Sequence, residues 1–122
     1  MLMSIAPDDL LSNAKRLCEG KQEFDWRCAA SKAYYAAYHQ CKVAAETLPE
    51  PPYDSKAMGV HDTLIKKFST QSDLKFKSIG FMLREAKRIR KKADYDIDDL
   101  FEQWEAKETI KWAEKILAKL IE

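Results

Sequence analysis

The chain has 122 residues, of which 46% are hydrophobic, three are glycine and four are proline. This length predicts a single domain over residues 1–122 with a core of its own, and the scarcity of glycine and proline favours an all-α fold. The net charge of +1 excludes a global field that would attract nucleic acid.

Several features predict a cytoplasmic protein. The first residues lack the basic and apolar regions of a signal peptide, and no stretch is long and apolar enough to span a bilayer. The three cysteines, Cys18, Cys28 and Cys41, are odd in number and show no CxxC spacing. We therefore expect reduced core thiols rather than disulfides.

Two helices are predicted in the first half of the chain. Pro7 and the two aspartates after it begin a helix that ends at Gly20. Asp25 is the expected N-cap of a long second helix that continues to Leu48. Apolar residues recur along it at i, i+3, i+4 spacing and predict its core face. They are Ala30, Ala33, Tyr34, Ala37, Cys41, Ala44, Ala45 and Leu48.

A second face of this helix is rich in tyrosine and is not needed by the core stripe. Tyrosine-rich faces are common at protein interfaces, so the face predicts a homodimer contact. Its residues are Arg27, Ser31, Tyr35 and Tyr38.

The second half of the chain predicts two or three more helices. Prolines make residues 49–61 a loop, after which a short helix turns Leu64, Ile65 and Phe68 inward. A longer helix is expected from Leu74 to Ala93, and a last helix from Trp104 to Ile121. Residues 96–103 are either a loop or a short turn of helix. These elements predict an up-and-down bundle of four to five helices. The inward residues of the last helix are Ile110, Ala113, Ile116, Leu117, Leu120 and Ile121.

One arginine lies inside the apolar stripe of the long helix before Ala93. At 100° per residue, this stripe centres on Ala86, and Arg90 lies only about 40° from that centre. A guanidinium turned toward a core must be paired or must line a polar cleft, and Asp94 lies one turn on. A structural ion pair and a phosphate-binding arginine both remain open. The stripe contains Ile79, Met82, Leu83, Ala86, Ile89, Ala93 and Ile97.

Charge is concentrated on both sides of Ala93. Residues 84–92 hold six cations and one glutamate, a net charge of +5, and residues 94–108 hold seven acids and one lysine, a net charge of −6. Such blocks are usually solvated helix faces. If phosphate binds at Arg90, however, the neighbouring cations would line an RNA cleft. These are Arg84, Lys87, Arg88 and Lys91.

Three stretches of the chain resemble HEPN domains. The sequence Arg27-Cys-Ala-Ala-Ser-Lys-Ala-Tyr-Tyr-Ala-Ala-Tyr-His39 is similar to the second helix of that family. The sequence Arg90-Lys-Lys-Ala-Asp-Tyr95 is similar to the Arg-x-x-Ala-Asp-Tyr motif of a small single-domain HEPN subgroup. Gly59-Val-His61, with the later Phe68, resembles the segment between them. The resemblance implies a HEPN-like helical bundle.

The resemblance also implies a function, because many HEPN proteins are metal-independent ribonucleases and often toxins of toxin–antitoxin or antiphage systems. Their motif is an Arg, four to six residues, then a His, duplicated across a homodimer cleft, where a ribose 2′-OH attacks the adjacent phosphate. Arg90 occupies the arginine position and Tyr95 stands in place of the histidine. The implied catalytic residues are Arg90, Tyr95 and Asp94, with no metal and no cofactor.

Tyr95 is an imperfect substitute for histidine. A phenol loses its proton only near pH 10, although it can donate a hydrogen bond or stack on a base. On a straight helix Arg90 and Tyr95 would point about 140° apart, so convergence of the two predicts a helix end near Ala93. Of the two histidines, His39 is expected at a surface or interface, and His61 is expected either to start the third helix or to pack it. Neither forms a metal-ligand pattern or is assigned to catalysis.

Three functional classes remain open from sequence. The first is a HEPN effector that cleaves or binds RNA, with an antitoxin as its partner. The second is a catalytically silent module that binds a nucleotide or a partner protein such as a nucleotidyltransferase. The third is a structural dimer in which Arg90 and Asp94 only hold helices together.

Overall fold

The computed structural model describes residues 4–50 and 59–122, which form five helices. These are α1 (Pro7–Cys18), α2 (Glu23–Ala45), α3 (Val60–Ser69), α4 (Leu74–Tyr95) and α5 (Gln103–Leu120). No strand occurs within those two ranges. The predicted all-α, up-and-down bundle is confirmed. Residues 51–58 of the predicted loop lie outside the described residues.

The central helix of the bundle is α2, which contacts each of the other four helices. Its core face is built from small side chains, and its five alanines between positions 29 and 37 are all fully buried. Small residues allow neighbouring helix backbones to approach closely, so α1, α4 and α5 pack around this stretch. Burial also raises the pKa of Cys41 to about 12, which keeps this thiol protonated and unreactive.

Both ends of α2 differ from their predictions. The N-cap is Gln22 rather than Asp25; Asp25 lies in the first turn, where a carboxylate also favours the helix dipole. At the other end, α2 stops at Ala45 instead of Leu48. The chain continues in tighter turns, in which the Leu48 N–H bonds to the carbonyl of Ala45 at 3.1 Å. A tightened last turn of this kind satisfies carbonyls at a helix end.

The backbone of α3 approaches α4 closely at Gly80 of α4. A Cβ atom built there would lie 2.9 Å from the backbone nitrogen of Ser69, at the end of α3. At the start of α3, Asp62 forms an ion pair with Lys87 of α4 at 2.6 Å. The two helices are therefore packed at both ends of α3, and the start of α3 lies beside the last turns of α4.

The apolar stripe of α4 is buried as predicted, with one exception. Ile97 is 75% exposed because α4 ends at Tyr95 and the helical phase no longer applies beyond it. Residues 96–102 form a loop, from which Phe101 inserts fully into the core. In α5, Ile121 is likewise wrongly predicted as inward, since the helix ends at Leu120 and Ile121 is 88% exposed.

Candidate functional site

Arg90 lies in the last two turns of α4 with only 4% of its surface exposed. One of its guanidinium nitrogens, Nη1, donates to Oδ2 of Asp94 at 3.3 Å. The Ser31 hydroxyl of α2 donates to the same carboxylate oxygen at 3.4 Å. The predicted contact between Arg90 and Asp94 is confirmed, and Arg90 is more deeply buried than the partial burial that we expected. The Asp94 side chain is 29% exposed, so the pair lies at the edge of the core.

Three tyrosine rings surround the Arg90 guanidinium. Its central carbon lies 4.9 Å from the ring centroid of Tyr34, 5.5 Å from that of Tyr35 and 5.7 Å from that of Tyr95. These distances are typical of cation–π contacts. Within the described part of the chain, the buried Nε of Arg90 has no hydrogen-bond partner. The protein therefore uses only part of the donor capacity of this guanidinium.

Arg90 and Tyr95 converge although α4 remains helical through Tyr95. The expectation that the helix must end near Ala93 is therefore wrong. The Arg90 side chain is long and runs toward the C-terminal end of α4, where it also reaches Asp94, so side-chain reach compensates for the difference in direction. Tyr95 itself is 67% exposed.

Arg27 of α2 binds the C-terminal end of α4 instead of lying on an unused face. Its guanidinium donates to the carbonyls of Lys92 at 3.2 Å, Ala93 at 3.0 Å and Asp96 at 3.2 Å, and also to that of Asp99. Carbonyls at a helix end lack intrahelical partners, and a cation complements the dipole there. Arg27 thus holds the end of α4 and the loop after it in place.

The remaining residues of the predicted dimer face are also partly engaged within the chain. Tyr38 is 8% exposed and its ring packs 4.7 Å from that of His61. Ser31 and Tyr35 are half-buried beside the Arg90 pair. The premise that this face is unused is therefore wrong, because α3 and the end of α4 dock against it. The dimer itself stays a prediction.

His61, at the start of α3, is held among the same tyrosine rings. Its Nδ1 lies 2.7 Å from the Tyr34 hydroxyl oxygen. Burial lowers the pKa of His61, as do the charges of Arg90 and Lys87, while Asp62 opposes them. Sequence reasoning placed His61 correctly at the start of the third helix but did not associate it with Arg90. Helical periodicity does not indicate where α3 docks on α4, and only the similarity around Gly59-Val-His61 pointed to this segment.

The four cations predicted to bind RNA line one shallow depression of about 350 Å³, together with Asp62 and Glu85. The acidic residues neutralise part of its charge, because Lys87 pairs with Asp62 at 2.6 Å and Arg88 with Glu85 at 3.3 Å. The structure thus brings these cations together next to the start of α3. Their role in binding RNA stays a prediction. The four cations are Arg84, Lys87, Arg88 and Lys91.

Over residues 4–50 and 59–122, no group of three or more His, Cys, Asp or Glu side chains is arranged to hold a metal ion. No helix in the same ranges combines the length and apolarity needed to cross a membrane.

The fold and the site together define an all-α domain with a buried arginine, paired with a partly exposed aspartate, near the end of its fourth helix. A family model described as HEPN domain matches residues 2–122. The chain therefore belongs to the HEPN family. Comparison with curated proteins and with solved structures gave no match.

Proposed function

We propose that this HEPN domain is a metal-independent endoribonuclease of the toxin type, with Arg90 as its phosphate-binding residue. The observation that carries the proposal is the state of Arg90, which is 4% exposed and, among residues 4–50 and 59–122, has one hydrogen bond, to Asp94, and an unpaired Nε. A buried guanidinium usually has its donors satisfied. Because Arg90 has an unused donor beside the exposed Tyr95, we favour a site that binds an anion over a purely structural ion pair.

Each member of the Arg-x-x-Ala-Asp-Tyr motif has a role in this proposal. Arg90 stabilises the negative charge that develops on the phosphate when the ribose 2′-OH attacks. Asp94 fixes the guanidinium through the 3.3 Å contact. Tyr95, with 67% of its surface exposed, donates a hydrogen bond to the RNA or stacks on a base. Because Arg90 is nearly covered, phosphate must enter as the Tyr95 ring turns outward.

The basic depression supplies the backbone contacts that a ribonuclease needs. Its cations Arg84, Arg88 and Lys91 are exposed, and cations of this kind bind RNA phosphates by releasing counterions. Because the depression adjoins the start of α3, we place the RNA strand along α4 toward Arg90. Affinity for RNA should then fall steeply as salt concentration rises.

The family resemblance supports an active homodimer in the cytoplasm, with an antitoxin as its partner. Light scattering on the purified protein at micromolar concentration should give twice the chain mass of 14.1 kDa. A mass of one chain would contradict the dimer. Ser31 and Tyr35, which are half-buried, are the members of the predicted interface that keep partial access to a second copy.

A second candidate is a silent module that binds a nucleotide or a partner protein such as a nucleotidyltransferase. The observation that favours it is Tyr95, which replaces the histidine of the family motif and packs 5.7 Å from the Arg90 guanidinium. In that case the site would bind a phosphate group without cleaving it.

Cleavage of single-stranded RNA in the presence of EDTA tests the proposal. We expect slow cleavage by the wild type that leaves 2′,3′-cyclic phosphate and 5′-hydroxyl ends, and loss of cleavage in Arg90→Ala. Arg16→Ala is the matched control, because Arg16 is exposed on α1 and α1 does not contact α4. Absence of cleavage by the wild type would favour the silent module. Cleavage by Arg90→Ala at the wild-type rate would show that the site lies elsewhere.

A further inference from the structure

We infer that His61 is the proton-transfer residue of the Arg90 site and that its Nε2 removes the proton of the attacking ribose 2′-OH. The inference rests on the proposed ribonuclease function and deepens it. In this role, His61 of α3 supplies the acid–base group that Tyr95 of α4 is poorly suited to provide.

The first support is that His61 and Arg90 share the same two aromatic neighbours. The Arg90 guanidinium carbon lies 4.9 Å from the centroid of Tyr34, and the His61 ring lies 5.4 Å from it. The corresponding distances to Tyr35 are 5.5 Å and 6.0 Å. Arg90 and His61, from different helices, are thus held in one cluster. A phosphate-binding residue and a base that act on the same nucleotide must lie close together in this way.

The second support is the orientation of the imidazole. Burial raises the pKa of Tyr34 well above its ordinary value, so the hydroxyl 2.7 Å from Nδ1 of His61 stays protonated. A phenolic hydroxyl can donate or accept a hydrogen bond. Nε2 has a lone pair only in the tautomer with the proton on Nδ1, so in this role Nδ1 donates to the Tyr34 oxygen, and the same hydrogen bond persists when Nε2 gains a proton. Tyr38 packs against the ring at 4.7 Å.

Nε2 of His61 is the nitrogen left for substrate. Within residues 4–50 and 59–122, it makes no hydrogen bond to the protein, and His61 is only half-buried. A base needs a free lone pair within reach of the proton that it removes. The fixed Nδ1 and the free Nε2 meet that requirement.

The third support is charge. The groups that face His61 are Arg90 and Lys87 from α4, the tyrosines from α2, and Asp62 on its own helix. Burial and the two cations lower the pKa of His61, while Asp62 is itself paired with Lys87 at 2.6 Å. The neutral imidazole therefore predominates at pH 7, which is the form that a general base requires.

The chemical step balances without a further reactant. The 2′-oxygen forms a bond to the adjacent phosphorus while its proton passes to Nε2 of His61. The bond from phosphorus to the 5′-oxygen breaks, and that oxygen takes a proton from water or from the imidazolium. The products are a 2′,3′-cyclic phosphate end and a 5′-hydroxyl end, and His61 returns to its neutral form.

A binding measurement tests the location of His61 independently of cleavage. The imidazole signals of wild-type protein are followed by NMR against pH, with and without an oligonucleotide whose 2′-oxygens are methylated and cannot attack. A phosphate bound beside His61 should raise the pKa of this residue. His39 lies exposed on α2 beside Tyr35 and Tyr38 and serves as the internal control, whose signal should respond less than that of His61. A bound oligonucleotide that leaves the His61 titration unchanged would overturn the inference.

An activity measurement tests the proton transfer itself, with His39→Gln as the matched control. His61→Gln should lower the cleavage rate by about 10²–10⁴-fold, and His39→Gln should leave it unchanged. The wild-type rate should fall at acid pH as His61 gains a proton, and this acid limb should be absent in His61→Gln. Added imidazole should partly restore cleavage by His61→Ala, which a merely structural role would not allow.

The outcomes separate the two proposals. If the wild type cleaves RNA and His61→Gln keeps the wild-type rate and pH profile, the inference is overturned while the ribonuclease function stands. If the wild type does not cleave, the ribonuclease function fails and the proton-transfer role fails with it. If His61→Gln does not fold, the titration of the wild-type protein decides the inference alone.

Discussion

Two arginines near the end of α4 occupy contrasting environments. Arg27 donates to four backbone carbonyls and stacks over the buried ring of Phe101 at 5.5 Å. Arg90 is more deeply buried, yet within the part of the chain that the structure describes it has one hydrogen bond, to Asp94, and an unpaired Nε. Both side chains are cations close to tyrosine or phenylalanine rings, but only Arg27 is well supplied with acceptors.

This difference in hydrogen bonding distinguishes a structural arginine from a candidate site residue. A cation bound to helix-end carbonyls completes the hydrogen bonding of the fold and leaves little for a ligand to add. A buried cation with unused donors has favourable contacts still to make. We therefore expect Arg27 to determine mainly the stability of the domain and Arg90 to determine mainly its activity.

The largest effect expected from the contrast between the two arginines is that of Arg90→Ala on activity. Removing the group that stabilises developing negative charge should lower RNA cleavage by about 10²–10³-fold, with only a modest change in the free energy of unfolding. Cleavage rates and urea midpoints measured on the same preparation test both halves. If Arg90→Ala loses activity and also shows a large fall in its urea midpoint, the contrast with Arg27 is contradicted.

Arg27→Ala should have the opposite profile. It leaves carbonyls at the end of α4 without their partner, which should cost about 2–4 kcal/mol in the free energy of unfolding. Arg27→Lys should recover part of this loss, because one ammonium can reach some of the carbonyls but lacks the fork geometry. Urea denaturation monitored by circular dichroism measures the effect. Unchanged stability in Arg27→Ala would show that this contact does not hold the loop.

Asp94→Ala should destabilise the domain less than loss of a fully buried partner would. Stranding a buried charge costs about 3–5 kcal/mol, but the Asp94 side chain is 29% exposed and water can replace it. We expect a loss of about 1–3 kcal/mol. The matched control is Asp98→Ala, since Asp98 lies exposed in the loop after α4. Equal urea midpoints for the two variants would contradict a stabilising Arg90–Asp94 pair.

Tyr95→His should change the cleavage rate more than the stability of the fold. Tyr95 is 67% exposed, so the substitution should leave stability nearly unchanged. An added imidazole near Arg90 should raise the cleavage rate modestly if the cleft keeps its geometry. Tyr95→Phe, which keeps the ring and removes the hydroxyl, separates stacking from hydrogen bonding. The assay is initial cleavage rate with EDTA, and no gain in Tyr95→His would argue against a proton-transfer role at this position.

The smallest expected effect is a pH dependence of stability that originates at His61. The pKa of His61 is lowered in the folded protein, whereas in the unfolded chain it has the usual histidine value of about 6.5. Just below pH 6.5, the unfolded chain therefore binds a proton that the folded chain does not. The contribution to stability is thus present above pH 6.5 and is lost as the pH falls through the folded-state pKa. Urea midpoints at pH 7.5 and 5.5 should differ less in His61→Gln than in the wild type. An equal difference would contradict this origin.

Local patterns in the chain were sufficient to predict the helical fold, most of the core and the pairing of Arg90 with Asp94. Periodicity depends on local geometry, so it located α3 and α4 and the buried stripe around Ala86, and it placed Arg90 near Asp94. The errors occur at helix ends, as at Asp25, Ile97 and Ile121, where periodicity no longer constrains the chain and side-chain and backbone hydrogen bonds determine the last turn.

Which helices meet at the site depends on how they pack in three dimensions. The face of α2 that carries Arg27 and Tyr38 looked unused because the stripe of alanines was sufficient for one core. Contacts between residues distant in sequence depend on how helices dock, which no single-helix pattern contains. The packing of α3 against α4, close at Gly80, brings His61 into the tyrosine cluster around Arg90, and the reach of a long side chain joins Arg90 to Tyr95.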